Sequence, residues 1–226
     1  MALDKTLKKS PSVNNRELLK KGLNELGFLY SEDQVDAFMT FLHELKKWNR
    51  VYSLTALKTD EDIIIKHFLD SILYLKIIPA KALKVADAGT GAGFPGIPIK
   101  IIRPELDMTL IESSRKKSVF LRHIIRVLKL NRISVLNNRI ETLGKGYEKT
   151  YDVIVSRATF KIKDFLKQAC PYVKEDGCLV LSKGPNIFGE ETNFLNELHS
   201  QNVIREVVNL PLTKAKRNLL MLRCQK

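Results

Sequence analysis

The chain has 226 residues, 44% of them apolar, enough for a core and too many for global disorder, and the length fits one domain with an appendage or two modest units. Lys and Arg outnumber Asp and Glu by 38 to 25, a formal charge of +13 that suits either a polyanionic partner or simply a basic enzyme. The three cysteines lack metal-ligand spacing, the first residues lack the apolar core of a signal peptide, and no run approaches about 18 apolar residues; metal and membrane are therefore not expected, and a reducing cytoplasm is the expected address.

Residues 1–14 mix Lys, Ser, Pro and Asn and read as a loose basic tail. From Arg16 to Trp48 the pattern is helical. Within it Ser31 and Gln34 have capping-box form, followed by Val35, Phe38, Leu42 and Leu45. Thr59 with Asp62 starts another helix through Ile63, Ile64, His67, Phe68, Ser71, Ile72 and Leu75, stopped before Pro79. Residues 1–82 thus read as a tail and a helical module, and 83–226 as an α/β domain.

In that domain Val85–Ala88, Met108–Glu112, Ile133–Leu136, Tyr151–Ser156 and Cys178–Ser182 read as strands. Helices are predicted over Ile97–Ile102, Arg115–Lys129, Lys163–Val173 and Glu190–Gln201, the second with Val119, Phe120, Ile124, Val127 and Leu128 inward. Val203–Leu210 and Asn218–Cys224 have only a short connection, so they either pair antiparallel or are misassigned. The alternation implies a mostly parallel, doubly wound sheet whose last strand runs antiparallel.

The first of these strands breaks into Asp87-Ala88-Gly89-Thr90-Gly91-Ala92-Gly93-Phe94-Pro95-Gly96, four glycines within eight residues. A strand, a glycine-rich turn and a helix form a nucleotide-binding crossover. The match to G-x-G-x-x-G is weak alone. Asp87, two residues before Gly89, instead fits the methyltransferase pattern D-x-G-x-G-x-G, its carboxylate holding either the loop or the ammonium of S-adenosylmethionine. Glu112, 23 residues after Gly89, is positioned to accept ribose hydroxyls. A reversed final hairpin is also typical of methyltransferases and unusual for dinucleotide dehydrogenases.

With Arg103-Pro104-Glu105, Lys116-Lys117, Phe120-Leu121, Arg139-Ile140-Glu141 and Ser156-Arg157-Ala158, this loop resembles the small-subunit ribosomal RNA guanine-N7 methyltransferases, the glucose-inhibited division protein B family. Trp48-Asn49, His67-Phe68-Leu69-Asp70-Ser71 and Lys183-Gly184 extend the resemblance over nearly the whole chain from about residue 20. Two positions depart from the family pattern: Ser53-Leu54-Thr55, usually Asn-Leu-Thr, and Glu112, often Asp.

The resemblance implies a Rossmann-like class I S-adenosylmethionine-dependent fold. It also implies a cofactor site of Gly89, Gly91, Phe94, Glu112, Ile140, Glu141 and Arg157, with no metal. It further implies methyl transfer to N7 of a guanine in the decoding-region loop of small-subunit RNA, nucleotide 527. The partner is then that RNA or the assembling 30S subunit, met by a monomer.

Guanine N7 carries a lone pair and no proton, so attack needs no general base and Arg157 is expected to position rather than to transfer protons. A bland alternative pairs Arg157 with Glu141 or Asp152. Amino-group methylation is disfavoured because Ser156-Arg157-Ala158-Thr159 stands where an Asn/Asp-Pro-Pro-aromatic loop is expected. Cytosine C5 methylation needs a cysteine nucleophile, whereas Cys170 falls inside a helix pattern and reads as a small buried thiol. Lys116, Lys117, Lys183 and Arg217 are candidates for RNA phosphates, the bland reading being a solvated face. His67 is either a packed helix histidine or a ligand-facing one. The rival functions are a methyltransferase acting on a small molecule or protein, and a non-catalytic ribosome-binding protein.

Overall fold

The computed structural model describes residues 14–157, 161–185 and 202–224; most of the basic tail and the helix expected over Glu190–Gln201 lie outside the described residues. Helix α1, Asn15–Leu26, starts at Asn14, whose side chain accepts from Arg16 N, and stops at Gly27 in the left-handed conformation. Helix α2, Glu32–Tyr52, starts at the expected capping box of Ser31 and Gln34. The Gln34 amide also donates to the carbonyls of Ile101 and Ile102, at 2.7 and 3.2 Å, so one side chain both starts α2 and ties it to residues 101–102.

Thr59 caps α3, Asp60–Ile63, through Asp62 N. The chain then continues without a break through a π-helical stretch, Ile64–Leu69, then α4, Asp70–Ile72, and a 3₁₀ turn, Leu73–Lys76. π-helical turns are uncommon and often mark functional positions. This one buries Ile64, Ile65, Phe68 and Leu69 and contains His67.

The strands are β1 Lys84–Ala88, β2 Asp107–Ile111, β3 Ile133–Leu136, β4 Tyr151–Arg157, β5 Val173–Lys183, β6 Val203–Asn209 and β7 Lys216–Leu222. They form one sheet in the order β3-β2-β1-β4-β5-β7-β6. Pairings are parallel from β3 to β5, and β7 runs antiparallel to both β5 and β6, as the short final connection requires. Helices α5, Gly96–Ile102, α6, Arg115–Val127, and α7, Ile162–Ala169, make the crossovers.

Alternate strand residues face opposite layers. Val85, Met108, Leu110, Val153, Val155, Val180 and Leu219 share a core with the helical module. Ala86, Ala88, Ile154, Leu179, Leu181 and Leu220 pack with Ile162 and Phe165 of α7. Tyr74, fully buried, fixes the module to the sheet: its hydroxyl donates to Ser156 O at 2.7 Å and accepts from Ser182 N at 3.1 Å.

Several expectations need correction. Helix α7 stops at Ala169 and not Val173, because a 3₁₀ turn carrying Pro171 follows it. β5 then begins at Val173, which pairs with Tyr151 ahead of a register shift, five residues earlier than expected. Val119 and Val127 of α6 are exposed; the buried stripe is Phe120, Leu121 and Ile124, with Val119 on the far side of the helix. Cys170 is not a free thiol. β7 runs back along β5, so Cys224 returns beside the turn before β5, and the two form a disulfide with Cα atoms 5.5 Å apart. Cys178 is the buried thiol, its pKa pushed up to about 11 by burial.

Candidate methyltransferase site

The site grows from the carboxyl ends of the parallel strands, where open α/β sheets bind ligands. Gly91 sits at φ 62°, in the left-handed region that favours glycine, and its N–H donates to Glu112 Oε2 at 2.9 Å. Glu112 lies one residue beyond β2, and its other oxygen accepts from Ser114 N at 2.7 Å. The acid expected at a ribose thus also ties the glycine loop to the start of α6.

Asp87 is fully buried and holds the loop from within. Its Oδ2 accepts from Thr90 Oγ1 at 2.5 Å and from Gly96 N at 2.7 Å, while Oδ1 is buried without a partner among the described residues. Burial raises its pKa to about 7, against the lowering effect of those donors and of Arg157. Gly96 is obligatory here, since a Cβ would stand 2.9 Å from Asp87 Oδ2 and collide with Leu110.

Beside the loop a cleft of about 190 Å³ is lined by Gly89, Ile111, Ser113, Arg139, Ile140 and Glu141. Ile140 is buried in a 3₁₀ turn, and Glu141 lies beside Arg139 at 3.6 Å. These residues fit S-adenosylmethionine: the cleft is open, a Cβ added at Gly91 would meet nothing within 4 Å, and Asp87 keeps an unpartnered oxygen behind the loop.

Arg157 ends β4. Its guanidinium lies over the Phe94 ring at 5.1 Å, donates to His67 Nδ1 at 3.0 Å and to Lys66 O at 3.2 Å, and stands 3.8 Å from Asp70 Oδ2. The alternative partners, Glu141 and Asp152, are engaged elsewhere, with Arg139 and Lys174 respectively. Because Arg157 donates to Nδ1, His67 is neutral and protonated on Nε2, which donates to Thr55 Oγ1 at 2.7 Å. Its pKa is lowered to about 3, first by burial and then by Arg157. His67 also stacks on Phe94 at 4.4 Å, so Phe94 is buried as the floor under both side chains.

Asp70, 5% exposed, accepts from Arg217 Nε at 2.7 Å on its second oxygen; burial holds its carboxyl above the ordinary range despite both arginines. Arg217 is therefore a half-buried partner of the helical module, not a simple rim cation. Lys183 is the last residue of β5 and lines a cleft with Arg157 and Arg217. Lys116 is exposed and Lys117 half-buried in the first turn of α6, beside Glu112. Sequence reasoning missed Asp70, Thr55 and Tyr74 as site-shaping residues, although Asp70 and Thr55 stand in the segments His67–Ser71 and Ser53–Thr55 compared with the family pattern. Among the described residues no cluster of three or more His, Cys, Asp or Glu suits a metal, and no helix is long and apolar enough to cross a membrane.

A sheet with this strand order and one reversed strand, a glycine loop held by a buried acid, and an acid at the end of β2 define the S-adenosylmethionine-dependent methyltransferase class. The fold is similar to a SAM-dependent methyltransferase from Aquifex aeolicus, with TM-score 0.53 and 20% identity over 71% of this chain and 93% of that one. It is likewise similar to a putative S-adenosyl-L-methionine-dependent methyltransferase from Methanococcus maripaludis, with TM-score 0.56 and 12% identity over 82% and 93%.

The chain belongs to the rRNA small subunit methyltransferase G family, whose family model matches residues 34–220. It is 39% identical over 213 residues to the Ribosomal RNA small subunit methyltransferase G of Acetivibrio thermocellus, covering 92% of this chain and 88% of the relative. With the protein of that name from Francisella tularensis it shares 35% identity over 208 residues, 92% and 97% of the two chains.

Proposed function

We propose that the protein transfers the methyl group of S-adenosylmethionine to N7 of a guanine in small-subunit ribosomal RNA, nucleotide 527 of the decoding-region loop. It does so in the cytoplasm, as a monomer, with residues 1–82 as an N-terminal tail and helical module beside the methyltransferase domain 83–226. The observation that carries this reading is Arg157, held over Phe94 by His67 and Asp70 at the end of β4, next to the strand that carries the glycine loop.

The cofactor supplies an electrophilic sulfonium methyl. Gly89 and Gly91 offer backbone to its methionine portion, Ile140 and Glu141 border the adenine, and Glu112 serves the ribose with lone pairs that Gly91 and Ser114 leave unused. Arg157 orients the methionine carboxylate or the target base. Because N7 loses no proton, the chain's residues have only to position the base and exclude water. Lys116, Lys117, Lys183 and Arg217 meet RNA phosphates. To test this, unmodified small-subunit RNA is incubated with the protein and methyl-labelled cofactor, then digested to nucleosides. Label in 7-methylguanosine is the expected result, and label in any other nucleoside refutes it.

A further inference from the structure

Helix α6, Arg115–Val127, carries no acidic residue, and its arginines are aligned. At about 100° per residue, Arg115, Arg122 and Arg126 fall within a strip roughly 40° wide. The strip is opposite the buried line of Phe120, Leu121 and Ile124, and its arginines are all exposed. Lys129 and Arg132, exposed in the turn that follows, carry the same charge on to the start of β3. Among the described residues, none of these cations has an ion pair or a side-chain hydrogen bond. The first helices differ, since Arg16 and Lys20 of α1 pair with Glu32 and Asp36 of α2.

The strip is kept against the preferences of the backbone that carries it. Arg115 opens the first turn of α6, where the helix dipole favours an acid, and Arg122 and Arg126 are like charges four residues apart. Lys129 and Arg132 lie at φ 51° and 53°, in the left-handed region that favours glycine. Lys129 also follows the C-cap Leu128, where glycine is the usual residue. Local energetics therefore favour other residues at most of these positions, and positive charge is what they share. Strand order says where the strip leads. It begins beside Ser113 of the cofactor cleft, at the carboxyl end of β2. It ends at the opposite edge of the sheet, where Arg132 O accepts from Met108 N at 2.9 Å. At about 1.5 Å per residue, α6 alone takes it on the order of 20 Å from that cleft. A convex row of guanidiniums and ammonium groups, without carboxylates between them, matches the repeating charge of a nucleic-acid backbone.

We propose that this outer strip, from Arg115 to Arg132, holds a stretch of ribosomal RNA backbone beyond the acceptor loop and so fixes how the substrate lies across the enzyme. The inference rests on the RNA methyltransferase reading above and extends it. An RNA that reaches the far end of the strip is longer than the acceptor loop, and the contact made there carries affinity without reading sequence.

The test uses the full chain and two protein-free RNAs, unmodified full-length small-subunit RNA and a short stem-loop holding only the acceptor loop. One variant combines Arg122→Gln with Arg126→Gln. The other combines Lys129→Gly with Arg132→Gly, which relieves both left-handed positions and should melt no lower than wild type. With full-length RNA each pair should raise Kd by about fivefold and make the slope of log affinity against log salt shallower by about 1.4 to 1.8. Affinities for the stem-loop and for S-adenosylhomocysteine should stay within about twofold of wild type, since those sites are remote from the strip. The control combines Lys163→Gln with Lys167→Gln, exposed on α7 in the opposite layer, and should leave the slope as it is. An unchanged slope in either strip variant would overturn the inference. So would an equal loss on the stem-loop, or an equal loss in the control, which would reduce the effect to net charge. A defect seen with assembled subunits and not with protein-free RNA would assign the strip to a ribosomal protein and overturn it too. Methyl transfer by wild type to small-subunit RNA is measured first; its absence refutes the underlying reading before any variant is compared.

Discussion

Asp87→Asn isolates the energetic cost of the acid under the glycine loop. The carboxyl's pKa is about 7 in the folded protein against an ordinary 3.8, because burial outweighs the donors from Thr90 and Gly96. Between about pH 4 and 7 the native state keeps a proton that the unfolded chain has released, so stability falls as pH rises and the loss is complete above the folded value. Three units correspond to a contribution on the order of 4 kcal/mol.

Asparagine keeps an oxygen for Thr90 and Gly96 and presents a neutral amide where the protonated acid would stand. The variant should therefore exceed wild type by only about 1 kcal/mol near pH 4.5 and by a few kcal/mol at pH 8. His67 has the opposite sign, since its value of about 3 against an ordinary 6.5 makes stability rise with pH across that interval; it is common to both proteins and cancels in the difference. Urea unfolding from pH 4.5 to 8.5, read as the variant-minus-wild-type difference, is the assay. A difference that does not change with pH would refute the reasoning.

Other expectations concern the module, the RNA track and the chemistry. Tyr74→Phe should cost about 1–3 kcal/mol in thermal or urea unfolding, because Ser156 O and Ser182 N lose their buried partner; a neutral effect would contradict that account. Neutralising Lys116 and Lys117 together should flatten the salt dependence of RNA binding by roughly one to two units while cofactor titrations stay unchanged, and an unaltered slope would mean that this end of α6 is only solvated. Cys170→Ala should retain most methyl transfer, since attack by N7 forms no bond to the protein and Cys170 is tied to Cys224 in a disulfide; loss of turnover in a folded variant would contradict this.

Local chemistry made much of this architecture legible. The caps at Ser31 and Thr59, the glycine loop after Asp87 and the short link between the last two strands are all encoded within a few residues, and each stands as read. What escaped is encoded across long separations. Asp70 meets Arg217 over 147 residues and His67 meets Arg157 over 90, so neither pairing leaves a periodic trace. The early start of β5 was hidden because Lys174, Glu175 and Asp176 are polar and exposed, although Val173 already pairs with Tyr151. The Cys170–Cys224 contact depends on β7 turning back along β5, a consequence of strand order and not of cysteine spacing. The glycine loop was legible as a turn from pattern alone, while the neighbours of Arg157 needed the fold.

The central claim is that these residues direct a methyl group to one guanine N7 of small-subunit RNA. The direct measurement is methyl transfer from labelled cofactor onto unmodified small subunits, with the modified nucleotide mapped by cleavage at 7-methylguanosine, for wild type and Arg157→Ala. The account predicts one cleaved position, in the decoding-region loop, and its loss in the variant. Label spread over several positions, label confined to protein, or full activity of Arg157→Ala would contradict it.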